Sequence, residues 1–124
     1  TKQIIAGEPI DVYNYGDMKR DFTYIDDIVE GIIALLKLTP NVADEIYNIG
    51  YGKQVGLMDF IKEIESNLGR TAQMNLLPMH PADSKETWSN TTKLRDLTGW
   101  EPKTNVVDGV KQFIDWYKSF YNVN

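Results

Sequence analysis

The sequence predicts an α/β fold, and three observations support this prediction. Short segments that alternate apolar and polar residues, the period of a half-buried strand, occur between longer segments whose apolar residues recur every three or four positions, the period of a helix. No repeat or low-complexity linker interrupts this alternation. With 124 residues, 42% of them hydrophobic, the chain can form one modest core.

Three strands and one short bridge are predicted. Alternating apolar and polar residues, with glycine or proline near the boundaries, place strands at residues 9–15, 45–50 and 72–77 and a bridge at residues 54–56. A loop is predicted at residues 16–19, between the first strand and the first helix.

Four helices are predicted from apolar stripes and end-favouring residues, at residues 25–38, 57–68 and 91–97 and from about residue 104 onwards. The first ends before Pro40, the second has Gly69 at its C-cap, and the last has Thr104 as its N-cap. The aromatic residues on one stripe of the last helix are expected to pack in the core; they include Phe113, Tyr117 and Phe120.

The composition excludes several classes of protein. A formal net charge of −5 disfavours nucleic-acid binding, because the long-range field repels polyanions. The chain has no cysteine, which excludes thiolate metal sites and fits a reducing compartment, and no apolar run approaches the length of a membrane span. Asp26 and Asp27 lack further metal ligands in register and are interpreted as serving a helix N-terminus. The sequence therefore predicts a soluble cytoplasmic protein without a metal, membrane or nucleic-acid partner.

The most informative stretch begins at Arg20, one of three arginines in the chain, which lies just before the helix predicted from residue 25. A guanidinium at the mouth of a rigid element is well placed to hold a phosphate bidentately. Because the net charge is negative, any bound phosphate has to be held by such a local group. The alternative is a surface ion pair of Arg20 with Asp21 or Asp17. Asp21 itself is interpreted as a structural acceptor.

Four motifs, in order along the chain, resemble those of one enzyme family. Residues 20–27 (R-D-F-T-Y-I-D-D) are similar to its R-D-[FY]-[TIV]-[YH]-[VI]-x-D segment, and residues 47–50 (Y-N-I-G) to one of its late strands. Residues 81–94 resemble its P-G-D-x-x-x-T-x-A-D-x-[ST]-K-[AL] segment, and residues 97–104 its L-G-[WY]-x-P-x-[TV] segment. On these motifs the chain resembles the nucleotide-sugar epimerases and dehydratases of the extended short-chain dehydrogenase/reductase family, in particular the UDP-glucuronate 4-epimerase branch.

The resemblance implies that residues 1–124 are the C-terminal, nucleotide-sugar-binding region of a Rossmann-type enzyme, with late strands of its parallel sheet. NAD and the catalytic Tyr and Lys would belong to an N-terminal region, because this chain has no glycine-rich dinucleotide turn. The implied reaction interconverts UDP-glucuronate and UDP-galacturonate through a 4-keto intermediate in a homodimeric enzyme, and the 124 residues alone are expected to be inactive. The alternatives are a related dehydratase or decarboxylase and a non-catalytic nucleotide-sugar-binding or dimerisation module.

The resemblance also implies six substrate-binding residues: Val12, Tyr13, Arg20, His80, Asp83 and Thr87. Backbone groups of the first two would contact uracil. Arg20 would hold the diphosphate, Asp83 the ribose hydroxyls, and Thr87 would line the nucleotide. His80 lies just before the P-A-D run, where many family members have a second arginine.

Some of these residues have structural alternatives. Tyr13 is alternatively a packed strand aromatic, and Asp83 a cap of its own loop. His80 either donates a hydrogen bond to the substrate or is a solvated loop residue. Ala82 replaces a glycine of the family motif, which leaves the backbone geometry of this loop open.

Tyr15 and Lys19 have the Y-x-x-x-K spacing of the family's catalytic pair, which depends on both residues lying on one helix face. Gly16 follows the tyrosine and a strand pattern precedes it. The pair is therefore interpreted as a loop tyrosine near a solvated lysine.

Overall fold

The structure, a computed structural model, describes residues 1–38 and 45–123. The helices in these ranges are α1 (Lys2–Ala6), α2 (Ile25–Leu36), α3 (Leu57–Leu68), α4 (Thr92–Thr98) and α5 (Val106–Tyr121). The strands are β1 (Ile10–Val12), β2 (Lys19–Arg20), β3 (Val55–Gly56) and β4 (Met74–Leu76), and a 3-10 turn spans Tyr13–Gly16.

The four strands form two separate pairs. β1 and β4 are parallel, with Val12 opposite Leu76. β2 and β3 are antiparallel, with Arg20 opposite Val55. A parallel pair needs a long crossover connection, and the chain between β1 and β4 contains both α2 and α3. The predicted α/β fold is confirmed.

The main core lies where α3 and α5 pack together beside the parallel strand pair. Its buried apolar side chains are Ile4, Val12, Ile61, Ile64, Ala72, Val110 and Ile114. The ring of Phe22 stacks on that of Phe60 in α3, with 3.8 Å between the ring centroids. This stack ties the segment between β2 and α2 to the core.

Several predicted elements are confirmed. α3 has the predicted bounds, and Gly69 at its C-cap is left-handed, with a φ of 64°. The bridge is present as β3, β4 lies within the predicted strand, and α4 is displaced by one residue. β1 is shorter than predicted, because Asn14 and Tyr15 turn into the left-handed region, with φ of 49° and 52°.

The predicted strand at residues 45–50 is wrong, because this segment forms no strand. A strand needs a neighbour that satisfies its backbone donors and acceptors. In the part of the chain that the structure describes, no other strand pairs with this segment. The side chain of Ile46 is accordingly 85% exposed.

The closing helix differs from the prediction in two ways. Asn105, not Thr104, is its N-cap, since the Asn105 Oδ1 atom accepts the N–H of Asp108 at 3.0 Å. The aromatic stripe is not core: Phe113 is 39% and Phe120 63% exposed. The helical period identified the stripe, but α3 covers only the part that carries the smaller aliphatic residues.

The helix predicted at residues 25–38 ends at Leu36, and the next two residues form a turn. Its predicted stop before Pro40 lies outside the described residues.

Candidate functional site

The candidate site is built by β2 and the segment 83–87 (hereafter the strap). The Lys19 N–H donates to the carbonyl of Lys85 at 3.0 Å, and the Thr87 N–H donates to the carbonyl of Lys19 at 3.2 Å. These two bonds lay the strap alongside β2. They bring Asp83 and Thr87, predicted as site residues from a distant part of the sequence, next to Arg20.

The guanidinium of Arg20 is held at three points. Its Nη2 atom lies 2.8 Å from Oδ1 of Asp83. Its Nη1 atom donates to the carbonyls of Lys19, at 2.9 Å, and Lys85, at 3.1 Å. The side chains of Arg20 and Asp83 remain 24% and 37% exposed, so solvent reaches the pair. The predicted alternative partners of Arg20 are wrong, because neither Asp17 nor Asp21 pairs with it.

Two further ion pairs fasten the strap. Lys19 contacts Glu86 at 3.3 Å, and Lys85 contacts Asp17 at 2.7 Å. Hydrogen bonds from Lys19 and Gln54 lower the pKa of the Glu86 carboxyl, and the hydrogen bond to Asp17 raises the pKa of Lys85. All these groups are solvent-exposed, so each pair contributes little by itself.

Asp21 is a structural acceptor, as predicted. Its Oδ1 atom accepts the N–H of Tyr51 at 3.0 Å. Its Oδ2 atom accepts the N–H groups of Gly52 and Ser89, both at 2.9 Å. One carboxylate therefore joins three stretches of chain: the end of β2, the loop after residue 50, and the continuation of the strap.

Asp27 lies in the first turn of α2, as predicted, and also holds a second segment of the chain. It is only 3% exposed, and its two oxygens accept the backbone N–H groups of Lys103, at 3.1 Å, and Thr104, at 2.9 Å. The carboxylate thus fastens the segment before α5 to α2. Tyr24 occupies the N-cap position of α2 without a side-chain capping bond; burial, and then the charge of Asp26, raise the pKa of its phenol.

The two residues predicted to contact uracil lie at the end of β1. Val12 is 1% exposed, and its carbonyl accepts the N–H of Leu77 at 3.0 Å. Tyr13 starts the 3-10 turn and is 40% exposed, so it is not the packed strand aromatic of the alternative interpretation. The uracil contacts themselves stay predictions.

His80 lies in an exposed turn between β4 and the strap. Its Nδ1 atom accepts the N–H of Ala82 at 3.2 Å, and its carbonyl accepts the N–H of Asp83 at 3.0 Å. Nε2 is therefore the nitrogen that carries the proton of the neutral ring. Ala82 is not among the residues with positive φ, so the turn does not require the family's glycine.

Tyr15 and Lys19 lack the geometry of a catalytic pair. Tyr15 lies in the left-handed part of the 3-10 turn, whereas Lys19 is in β2 and pairs with Glu86. The two side chains do not share a helix face, which the Y-x-x-x-K mechanism requires.

A separate cleft of about 280 Å³ lies between the start of α2 and α5. Apolar and aromatic side chains dominate its wall, among them Phe22, Tyr24, Phe60, Val110 and Phe113. The residues that line it include no Lys, Arg or His to pair with a phosphate that loses its hydration there, so Arg20 offers the better phosphate site.

The next two observations concern residues 1–38 and 45–123. No cluster of three or more His, Cys, Asp or Glu side chains there could hold a metal ion. None of the helices in these ranges combines the length and the apolar character that a membrane span requires.

The chain is similar to known proteins over nearly its whole length. The family model for GDP-mannose 4,6 dehydratase matches residues 1–113. The chain is 39% identical to a probable UDP-glucuronate 4-epimerase of Rhizobium meliloti, over 93% of this chain and 39% of that protein. It is 38% identical to a UDP-glucuronate 4-epimerase of Thermodesulfobacterium geofontis, over 94% of this chain and 36% of that protein.

A solved structure is also similar. The UDP-glucuronic acid 4-epimerase of Bacillus cereus, in complex with UDP-glucuronic acid and NAD, matches with a TM-score of 0.87 and 33% identity, over 97% of this chain and 38% of that one. The chain therefore belongs to the family of extended short-chain dehydrogenases/reductases that act as nucleotide-sugar epimerases and dehydratases. It spans 36–39% of the length of these three relatives.

The residues of this chain do not fit NAD. A dinucleotide needs free backbone N–H groups at a glycine-rich turn with the spacing G-x-G-x-x-G. Gly50, Gly52 and Gly56 have one residue too many in the second interval. The N–H groups of Tyr51 and Gly52 moreover already donate to Asp21.

Sequence reasoning missed how the site is held together. It identified Arg20 and Asp83 separately, but their pairing joins residues 63 positions apart. It identified Asp21 as an acceptor without its donors, which are three backbone N–H groups and, at 3.4 Å, the hydroxyl of Thr23. Every residue except proline has a backbone N–H group, so the residue types do not show which of these groups donate to Asp21.

Proposed function

We propose that this chain is the nucleotide-sugar-binding region of an NAD-dependent epimerase that interconverts UDP-glucuronate and UDP-galacturonate through a 4-keto intermediate. The observation that carries the proposal is the convergence of Arg20, Asp83 and Thr87 where the strap runs beside β2. A cation, a carboxylate and a hydroxyl on one exposed surface suit the diphosphate and the sugar hydroxyls of a nucleoside diphosphate.

In this proposal Arg20 holds a diphosphate oxygen and Asp83 accepts from the ribose hydroxyls. Thr87 lines the nucleotide, and His80 offers its Nε2–H to a phosphate. The backbone at the end of β1, at Val12 and Tyr13, contacts the edge of uracil. The complex of the Bacillus cereus relative with UDP-glucuronic acid supports this choice of ligand.

The nucleotide serves as a handle in this reaction. Binding energy from UDP, remote from the reacting carbon, orients the sugar and lowers the entropic part of the barrier. NAD supplies a reversible hydride acceptor when it is bound, and we place it, with the catalytic Tyr and Lys, in a region N-terminal to this chain. The NAD complex of the same relative supports this placement, since this chain matches only 38% of it.

We place the enzyme in the cytoplasm as a homodimer that supplies UDP-galacturonate for polysaccharide biosynthesis. The absence of cysteine fits a reducing compartment.

The test is product analysis with the full-length protein. UDP-glucuronate is incubated with the enzyme, and the nucleotide sugars are separated by anion exchange and identified by mass and by the coupling constants of the C4 proton. We expect a second UDP-hexuronate of unchanged mass with inverted configuration at C4. A product that has lost carbon dioxide would show that the enzyme is a decarboxylase, and one that has lost water would show that it is a dehydratase.

Two matched samples locate the chemistry. The Tyr15→Phe variant of the full-length protein should turn over substrate at the wild-type rate, because Tyr15 is outside the proposed machinery. The isolated 124 residues should show no turnover. Epimerisation by the isolated chain, or its loss in the Tyr15→Phe variant, would contradict the placement of the catalytic pair upstream.

A further inference from the structure

We propose that Asp21 is a positioning residue for the nucleotide-sugar reaction, and that it acts through Arg20 rather than on the substrate. This role rests on the proposed function. It is based on a series of contacts that runs from the Asp21 carboxylate to Ser89, along the strap to Lys85, and from there to the Arg20 guanidinium.

The Asp21 carboxylate organises the backbone around it. It accepts N–H groups from Tyr51, Gly52 and Ser89 at 2.9–3.0 Å. The hydroxyl of Thr23 supports the same cluster, because its Oγ1 atom accepts the Tyr51 N–H at 3.0 Å and lies 3.4 Å from Oδ1 of Asp21. Hydrogen bonds to an ionised acceptor are about twice as strong as neutral ones.

The packing at Gly50 shows how closely these stretches of chain meet. A Cβ atom on Gly50 would lie 2.5 Å from Cβ of Ser89 and 2.9 Å from Oδ2 of Asp21. No side chain fits between the loop, Ser89 and the carboxylate. The position of Ser89 is therefore fixed by direct contact as well as by its hydrogen bond.

Ser89 leads back to Arg20 along the strap. The stretch 85–89 is fastened at one end by the Lys19 backbone bonds and at the other by the bond from Ser89 to Asp21. The carbonyl of Lys85 in this stretch accepts from the Nη1 atom of Arg20 at 3.1 Å. If the Asp21 anchor is removed, the chain beyond the strap is released at Ser89, and the Lys85 carbonyl that accepts from Arg20 is then held only by the Lys19 backbone bonds and the two exposed ion pairs of the strap.

Asp21→Asn tests this link with little change in volume. Asparagine keeps one acceptor oxygen but turns an NH2 group towards backbone N–H donors. We expect the affinity of the full-length protein for UDP, measured by titration calorimetry, to fall by about tenfold or more. The affinity for NAD should be unchanged. Asp26→Asn, an exposed carboxylate in the first turn of α2, is the matched control and should bind UDP as the wild type does.

A double-mutant cycle separates positioning from general damage to the fold. In the Arg20→Ala background, Asp21→Asn should change the UDP affinity by less than about twofold, because the residue through which it acts is gone. Thr23→Val, a milder change in the same cluster, should weaken UDP binding less than Asp21→Asn and should also lose its effect in that background. It serves as the test if Asp21→Asn does not fold.

The outcomes are distinct. Wild-type affinity of Asp21→Asn and Thr23→Val for UDP, or effects that add fully to that of Arg20→Ala, would overturn the positioning role and leave the proposed function standing. Failure of the wild-type protein itself to bind UDP would overturn the proposed function, and the positioning role with it.

Discussion

Oδ1 of Asp83 lies 2.8 Å from Nη2 of Arg20, so the cation predicted to bind a phosphate already has an internal anion beside it. The guanidinium has five N–H donors, and three of them are used: two on Nη1, by the carbonyls of Lys19 and Lys85, and one on Nη2, by Asp83. The Nε hydrogen and the second Nη2 hydrogen are not used in these three bonds. In the proposed complex, the diphosphate would accept from these two donors or displace the carboxylate. Displacement would free Asp83 for the ribose.

Asp83→Asn should therefore strengthen the binding of inorganic pyrophosphate, because it removes the competing anion from Arg20. Exposed ion pairs are worth about 0.2–1 kcal/mol, which corresponds to an increase in affinity of about 1.4- to fivefold. UDP should gain less than pyrophosphate or bind more weakly, because it also loses the ribose acceptor. Titration of both ligands into the full-length protein gives the ratio. Asp17→Asn, which removes a carboxylate paired with Lys85 of the strap, is the control; equal gains in both variants would contradict the prediction.

Asp27→Ala should lower the free energy of unfolding. The carboxylate is 3% exposed, and its removal leaves the N–H groups of Lys103 and Thr104 without their acceptor. The expected loss is about 2 kcal/mol or more, read from the midpoint of urea denaturation. Asp26→Ala, on the exposed side of the same turn, should change the midpoint little. A stability of Asp27→Ala equal to that of the control would show that this buried anchor is dispensable.

The contacts of Glu86, in the strap, with Lys19 and Gln54 should depend on pH. Lys19 and Gln54 lower the pKa of the Glu86 carboxyl below its ordinary value. The contacts of ionised Glu86 therefore stabilise the folded state fully above the pKa of the carboxyl in the unfolded chain, which is about 4.3. This stabilisation is lost as the pH falls through the lower pKa of the folded state. Glu86→Gln should unfold at slightly lower urea than the wild type at neutral pH, and the difference should vanish on acidification. If the difference in urea midpoint between the wild type and Glu86→Gln grows at acid pH, the pKa of Glu86 is raised in the folded state and not lowered. Glu8→Gln is the control.

The isolated 124 residues should self-associate. One face of α2 exposes Ile25, Val29, Ile32, Ile33 and Leu36 to between 43% and 62% of their surface. A contiguous apolar face of this kind is uncommon on a monomeric protein. Sedimentation velocity should show oligomers, and replacing Ile32 and Ile33 by serine should shift the distribution towards monomer. A wild-type chain that remains monomeric and melts cooperatively would contradict the prediction.

The sequence predicted those features that local patterns determine. α3 was predicted at both ends, because its apolar stripe and the glycine at residue 69 are local signals. The strand at residues 45–50 was wrong because strand formation depends on a neighbour, which a local pattern does not supply. The aromatic stripe of α5 was wrongly placed in the core. Its helical period shows which face of the helix is apolar, but it does not show how much of that face a neighbouring helix covers.

In the candidate site, too, the sequence predicted the local features and not the long-range ones. Arg20 was identified from its place before a helix, and Asp21 from its charge. The strap, which brings Asp83 and Thr87 to Arg20, is held by backbone bonds to Lys19, and the sequence of the strap does not encode these bonds in any side chain. Long-range backbone pairing therefore had to come from the structure.

Titration of UDP and of NAD into full-length wild-type, Arg20→Ala and Arg20→Lys proteins tests the central claim most directly. Truncating a charged group paired with a diphosphate costs about 2–5 kcal/mol of binding energy, and lysine restores the charge without the fork. The account predicts that UDP affinity falls strongly in Arg20→Ala and partly recovers in Arg20→Lys, with NAD affinity equal in all three. Equal UDP affinity in the wild type and Arg20→Ala would contradict it, and would leave Arg20 as a surface partner of Asp83.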